Sequence, residues 1–444
     1  MPVDQLHPLH AARAADWRLV RDCLAGEGAV KGRLEAYLPM TPGQRLETPR
    51  PASNADYLAY QGRADFPDLV RLTLDACGGL IHRRPATVSL PPELEPLRRS
   101  ASPDGLGLAD LHRRLTRNVL LTGRHGLLVD APAGGAALPY VADYTAESMV
   151  NWREEGGRAD MVVLREDHPL PGPDPFAHVT EPRWRVLTLG AAGYRQGLWH
   201  RRDEEDFARL AEYAPGGAAG LDELPFVFVG ATDLTPAPHH IPMLPLARMA
   251  LRIFRLSADY KQALFLTSQP TPVIAGVEPG QEGLPEQIGA STIWYLPAEA
   301  RAYYLEVGGA GIEAHRQAIG DLQDQALQMG ARLMEGGRGA ESAEALRIRA
   351  AAQTVSLTDV ARTTAAGLER ALRMAARWAG ADPDRVTVEP NLDFTENVLS
   401  AEAVRQLTQA WKDGAFDRSV LAWNLRRGGR LPEDGDHGLS HNEE

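Results

Sequence analysis

Residues 244–276 read LPLARMALRIFRLSADYKQALFLTSQPTPVIAG, and the architecture turns on how they are parsed. Pro245 suits the first turn of a helix, where its missing N–H has no bond to lose. From there to Thr267 the interior holds neither Gly nor Pro, which predicts one helix over 244–267, ~36 Å long at ~1.5 Å per residue. Leu246, Met249, Ile253, Leu256, Tyr260 and Leu264 fall on one arc of it, and Arg248, Arg252, Arg255, Asp259 and Gln262 on the other. Pro270 and Pro272 then end the helix and lead into a strand-like VIAG. A long apolar rod running into a Pro-punctuated strand needs neighbours for its greasy side.

The chain outward from that rod has 444 residues, with 44% hydrophobic and 24% charged content. That is too long for one ordinary core and is ordinary globular composition. A net charge of −12 excludes a general nucleic-acid binder of the usual basic kind, so contact with nucleic acid is expected to be local or weak. Only Lys31, Lys261 and Lys412 are lysines among 47 basic residues. Cys23 and Cys77 make neither a disulfide framework nor a four-ligand zinc site, and read as small buried hydrophobes in a reducing compartment. No signal peptide and no apolar run of ~20 residues stands out, so cytosolic assembly and no membrane span are expected.

Residues 1–53 read as a loosely ordered arm with one amphipathic stretch around Trp17 to Leu24. Residues 54–81 predict two helices broken before Pro67, and 106–123 another. The segments GLLVDAP, PYVADY, DMVVLRE, RWRVLTL and LPFVFVG predict short strands, with an acidic helix at 203–213. Together these give an α+β domain of mainly antiparallel sheet over 54–240. After the rod, 270–311 predicts a small module of short strands (PVIAG, STIWYL, AYYLEV) that carries five Glu against one Arg. A second helix over 312–334 shows an apolar stripe of Ile312, His315, Ile319, Leu322, Ala326, Met329 and Leu333. Glu313, Gln317, Asp321, Asp324, Gln328 and Glu335 lie opposite, on a face read as free of basic residues. GGRG at 336–339 interrupts, a long helix over 341–379 follows, then strand-like RVTVEPNLDF, short helices at 399–412 and 417–426, and an acidic tail that reads as disordered.

Catalytic signatures are missing. There is no phosphate-binding loop, HExxH, CxxC or nucleophile elbow. DGLGLAD at 104–110 lacks the strand and third glycine of a dinucleotide site, and PHHIP at 238–242 offers two histidines with no third ligand. No enzyme, cofactor or metal is therefore expected. The order of parts says more: two long helices flanking a small module run antiparallel if both attach to one body, making a stalk with a tip. Side-by-side copies related by one rotation would bury the excess apolar surface and close into a ring.

With these residues in view, the chain resembles the portal (head-to-tail connector) proteins of tailed bacteriophages, in particular a branch catalogued as a phage domain of unknown function. The stretches that carry the resemblance are YLAYQGRADFPDLVRLTLDACGGLIHRRP, LLTGRHGLLVDAP, PYVADYTAESMVNWR, MVVLRE, the rod itself, SLTDVARTTAAGLERALRMAARWAG and NLDFTENVLSAEAVRQLTQAWKDGAFDRSVLAWNLRRGGRL. The resemblance implies a wing over 54–240, stem helices at 244–267 and 312–334, a clip at 270–311 and a tunnel loop at 335–343. It further implies a long wing helix and strand over 341–394, a short crown at 395–430 and a disordered tail at 431–444. It also implies a homo-oligomeric ring, twelve-fold in the virion, at one capsid vertex. Such a ring contacts the major capsid protein, docks the large terminase subunit and a head-completion adaptor or tail, and passes double-stranded DNA during packaging and ejection. The rival readings are another virion structural protein and an enzyme with an unrecognised site.

Within that frame Glu313, Asp321, Asp324 and Glu335 are candidates to line the channel, because carboxylates keep a phosphate backbone sliding rather than bound; a plain solvated outer face is the alternative. Gly336, Gly337, Arg338 and Gly339 form the candidate tunnel loop, with Arg338 either touching phosphates in passing or an ordinary loop residue. Trp294, Tyr295, Tyr303 and Tyr304 supply either the clip's own core or an inter-subunit contact. Lys261 is a candidate to pair with a neighbouring copy's carboxylate.

Overall fold

The computed structural model describes residues 2–131, 138–172, 174, 176–191, 193–203, 206–215, 221–268, 271–278, 293–305, 310–334, 357–394, 401–412, 417 and 419–421. The chain divides into Met1–Asn391 and Leu392–Glu444. The expected α+β class holds: helices and antiparallel sheet share the first unit.

Residues expected to be a loose arm are instead well packed. Helix α1 (Pro8–Ala25) buries Trp17, Val20 and Cys23 completely, and the Trp17 indole Nε1 donates to the Thr122 carbonyl at 3.0 Å. Just before it, the His7 amide donates to the Val150 carbonyl at 2.9 Å and the His7 ring stacks on Trp152 at 3.7 Å. Two short helices follow, α2 (Glu27–Gly32) and α3 (Pro42–Glu47). Helices α4 (Ala55–Arg63) and α5 (Leu69–Ile81) take the positions expected on either side of Pro67. Asn54 caps α4 by accepting from the Tyr57 amide at 2.8 Å. Strand β1 (Thr87–Ser89) pairs antiparallel with β12 (Thr387–Glu389), which ties residues far apart in sequence.

Helix α6 (Leu108–Thr122) ends at Gly123, whose φ of +73° is left-handed. A Cβ there would come within 1.9 Å of the His240 carbonyl oxygen, so only glycine fits. The chain turns directly into β2 (Arg124–Asp130), buried along its whole length between β3 (Tyr140–Thr145) and β9 (Phe226–Gly230). Helix α9 (Leu357–Trp378) packs on this sheet and on α6. It approaches the sheet closely at Gly367, where a Cβ would lie 2.5 Å from a Val229 methyl.

The second sheet is an antiparallel meander of β4 (Met149–Glu155), β5 (Arg158–Leu170), β6 (Val179–Gly190), β7 (Gly193–Arg201) and β8 (Phe207–Tyr213). Strand β8 replaces the acidic helix expected at 203–213. Its Phe207 joins Val150, Val163 and Trp184 in the core, edge-on to the Trp184 ring at 5.2 Å, and ladder bonds to β7 outweigh the helix preference of the acidic run. A polar network stitches the two sheets together. Gln196 donates to Asp130 at 3.0 Å, Arg185 donates to Gln196 and to Glu166 at 2.7 Å each, and the Tyr144 hydroxyl donates to Glu166 at 2.6 Å. Burial raises the Asp130 carboxyl above its ordinary range.

Helix α7 (Leu244–Thr267) has the boundaries expected from Pro245 and Pro270. Strands β10 (Thr271–Ala275) and β11 (Arg301–Leu305) form an antiparallel hairpin after it, and α8 (Ala310–Met334) follows. Residues 293–296, expected within the strand STIWYL, carry no regular structure. Of the long helix expected over 341–379, the structure describes the part from Leu357; the remainder lies outside the described residues. In the second unit α10 (Ala401–Lys412) matches the expected helix, and a short helical segment at 419–421 buries Leu421.

Candidate functional site

The candidate site is built on α7, the β10–β11 hairpin and α8. Helices α7 and α8 lie alongside each other, and both touch α5. The chain therefore travels out on α7, reverses in the hairpin and returns on α8, so that Gly330 near the end of α8 faces α5, where a Cβ on it would lie 3.4 Å from the Thr73 hydroxyl.

Burial along α7 changes sharply. Its first half buries Leu246, Ala247, Met249, Ala250, Leu251, Ile253, Phe254 and Ala258, a wider face than the single arc read from sequence. The polar arc is engaged as well: Arg248 donates to Asp16 at 3.0 Å and Arg255 to the Tyr37 carbonyl at 2.7 Å. Residues 60–65 then clasp the helix. The Tyr60 hydroxyl donates to Asp259 at 2.6 Å, the Asp65 amide donates to the Ser257 hydroxyl at 2.9 Å, and the Arg63 guanidinium lies 4.3 Å from the centre of the Phe265 ring. Lys261 pairs with Asp65 of its own chain at 3.0 Å. That corrects the expectation of a partner copy's carboxylate, since the turn between α4 and α5 brings Asp65 within reach first.

Beyond the clasp the apolar side chains stand open. Leu264, Phe265 and Leu266 are exposed, Leu266 to 59%. The hairpin continues the trend. Tyr303 stands opposite Val273 and Tyr304 opposite Pro272, and successive strand residues point to opposite faces, yet both tyrosines are half exposed. Ile293 and Tyr295 are more open still, Tyr295 to 82%. Trp294 is half-buried.

On α8 the expected stripe is the inner one. Ile312, His315, Ile319, Leu322 and Met329 are half-buried and Ala326 is buried, while Glu313, Gln317, Asp321, Asp324 and Gln328 are exposed. The acidic face is less uniform than its sequence suggests. Arg316, at its edge, donates to Glu313 at 2.9 Å, and that contact depresses the Glu313 carboxyl below its ordinary range. The pair follows from i,i+3 spacing on one helix, a signal present in the sequence. Leu327 lies on the same side and is two-thirds exposed. Glu335, Gly336, Gly337, Arg338 and Gly339 lie outside the described residues, as does the side chain of Leu333.

Other sequence candidates carry no chemistry here. His239 is exposed beside Thr235 at 3.1 Å, and burial lowers the His240 pKa. Among the described residues no group of three or more His, Cys, Asp or Glu is placed to hold a metal ion, and no described helix is long and apolar enough to cross a membrane. Cys23 and Cys77 are free and buried, with burial pushing both thiols up to about 12, far from a reactive thiolate.

A family model described as Domain of unknown function (DUF4055) matches residues 242–379, the span from the start of α7 through α9. No curated protein matches the chain. Among solved structures, the chain is similar to one in the neck of a native GTA particle computed with C12 symmetry, at 17% identity and a TM-score of 0.42, covering 84% of this chain and 93% of that one. A chain from the virion of a native gene transfer agent (GTA) particle is 18% identical with a TM-score of 0.40, covering 82% and 90%. A chain from the neck of an empty GTA particle computed with C6 symmetry is 17% identical with a TM-score of 0.40, covering 86% and 95%.

Proposed function

We propose that this chain is a portal protein, a subunit of a ring at one vertex of a phage-like capsid through which double-stranded DNA enters and leaves. The observation that carries the reading is the change in burial along the α7–hairpin–α8 arm. A helix clasped into its own body at one end exposes Leu264, Phe265 and Leu266 at the other, next to a hairpin with open tyrosines. Large apolar side chains left open on α7 and on the strands that follow it fit an interface between subunits. The sequence resemblance to portal proteins supplies the rest: α7 and α8 as stem, the hairpin as clip, α9 as wing helix, a twelve-fold ring, and terminase, capsid protein and adaptor as partners.

On this reading the exposed side of α8 faces the channel. Glu313, Asp321 and Asp324 less Arg316 leave that face negative, and like charge keeps the duplex from adhering through counter-ion release. The role is conduit and docking platform rather than catalyst. The test is Asp321→Lys with Asp324→Lys. Rings should assemble at the usual size while DNA packaging or retention falls, because two cations per copy would repeat around the whole channel. Unchanged packaging with intact rings removes the channel assignment for α8.

A further inference from the structure

Four arginines, Arg362, Arg370, Arg373 and Arg377, line one open cleft of about 350 Å³ along α9, between that helix, Glu223 and the β12 edge. Their charge is only partly answered. Arg370 and Arg377 share the single carboxylate of Glu223, at 2.8 and 3.0 Å. Arg373 pairs with Glu369 at 2.9 Å, and Glu369 is further held by the Val388 amide at 2.9 Å. Arg362 is exposed and has no carboxylate partner among the described residues. Four guanidinium groups against two carboxylates leave the cleft cationic on a chain whose net charge is −12. The floor is apolar: Ala365, Met374 and Val388 are buried beneath it.

We infer that this cleft is a docking site for an acidic peptide segment of another protein, one that sets an apolar side chain on the floor and carboxylates against the arginine rim. From Arg362 to Arg377 the rim runs ~22 Å at ~1.5 Å per residue, the reach of about seven extended residues at ~3.3 Å each. Arginine presents a planar fork that carboxylates match bidentately, and Glu223, already divided between two arginines, leaves donors over. Duplex DNA suits the site less well, since a convex phosphate rod makes no use of a recessed apolar floor. The inference rests on α9, Glu223 and the β12 edge within one chain and does not depend on ring formation.

The test uses the full-length protein and a fluorescent peptide of about a dozen residues, mostly Glu and Asp with one central Phe, followed by anisotropy. The same peptide with Phe replaced by Ser and a short duplex DNA are run alongside. The Phe peptide should bind more tightly than the Ser peptide and than DNA. Arg362→Glu should weaken it at least about tenfold. Ala366→Trp, which fills the cleft from an exposed position, should reduce it to the affinity of the Ser peptide. Indifference to Arg362→Glu, equal binding of the two peptides, or DNA binding with the same dependence on both variants overturns the inference. So does no binding by any probe.

Discussion

The two halves of α7 have similar composition and opposite surroundings. From Leu244 to Ala258 the helix meets α1, α4 and α5 and buries ten side chains; from Leu264 to Leu266 three large apolar residues in a row stand open. A helix apolar on most of its circumference is buried in something. For the first half the chain supplies that something itself; at Leu264 to Leu266 it supplies the Arg63 guanidinium over Phe265 and still leaves all three side chains exposed. The comparison separates residues that hold the fold from residues that await a partner, which hydropathy alone cannot do.

The sharpest way to break that separation is to truncate one residue in each half. Phe254 is fully buried, edge-on to Phe66 at 6.1 Å. Phe254→Ala should cost about 3–5 kcal/mol of unfolding free energy, the transfer of the ring plus the cavity left behind, read as a lowered denaturant midpoint with unchanged slope. Next in size is acid. His82 on the end of α5 and His112 in α6 meet ring to ring at 4.9 Å, and burial pushes their pKa values down to about 4 and about 3. Both are neutral when folded, whereas the unfolded chain takes up protons near pH 6.5. Stability is therefore full above that pH and falls as the pH drops from 6.5 through about 4 to about 3. For the pair we expect about 3 kcal/mol, discounted because His82 is partly open to solvent. His112→Leu should flatten that part of the pH profile. The smallest effect belongs to the outer half: Leu266→Ser should leave unfolding of the single chain within about 0.5 kcal/mol of the parent. A large loss there would place Leu266 in the fold rather than at an interface.

Much of the arm was legible because its signals are local. Pro245 and Pro270 mark the ends of α7, and the spacing from Ile312 to Met329 gave the inner side of α8, which burial follows residue by residue. What failed depended on distant contacts. Trp17 opens the one amphipathic stretch legible in the N-terminal segment, but its anchor, the carbonyl of Thr122, lies 105 residues away and has no local signal. The acidic run at 203–206 masked a strand whose partner is β7 and whose core residue is Phe207. Lys261 found Asp65 across a turn that no local pattern announces. The arginines of α9 went unread for a different reason. Scattered among alanines they look like ordinary solvated positions, and only Glu223 and β12 turn their side of the helix into a cleft.

For a ring to close, the open half of the arm must find identical neighbours. Native mass measurement of the purified full-length protein across a range of concentrations tests this directly, with Leu266→Ser combined with Tyr295→Ser beside it. A closed ring of fixed stoichiometry, loosened in the double variant while each chain stays folded, is the predicted result. A single folded chain at every concentration, or a ring indifferent to both substitutions, would contradict it.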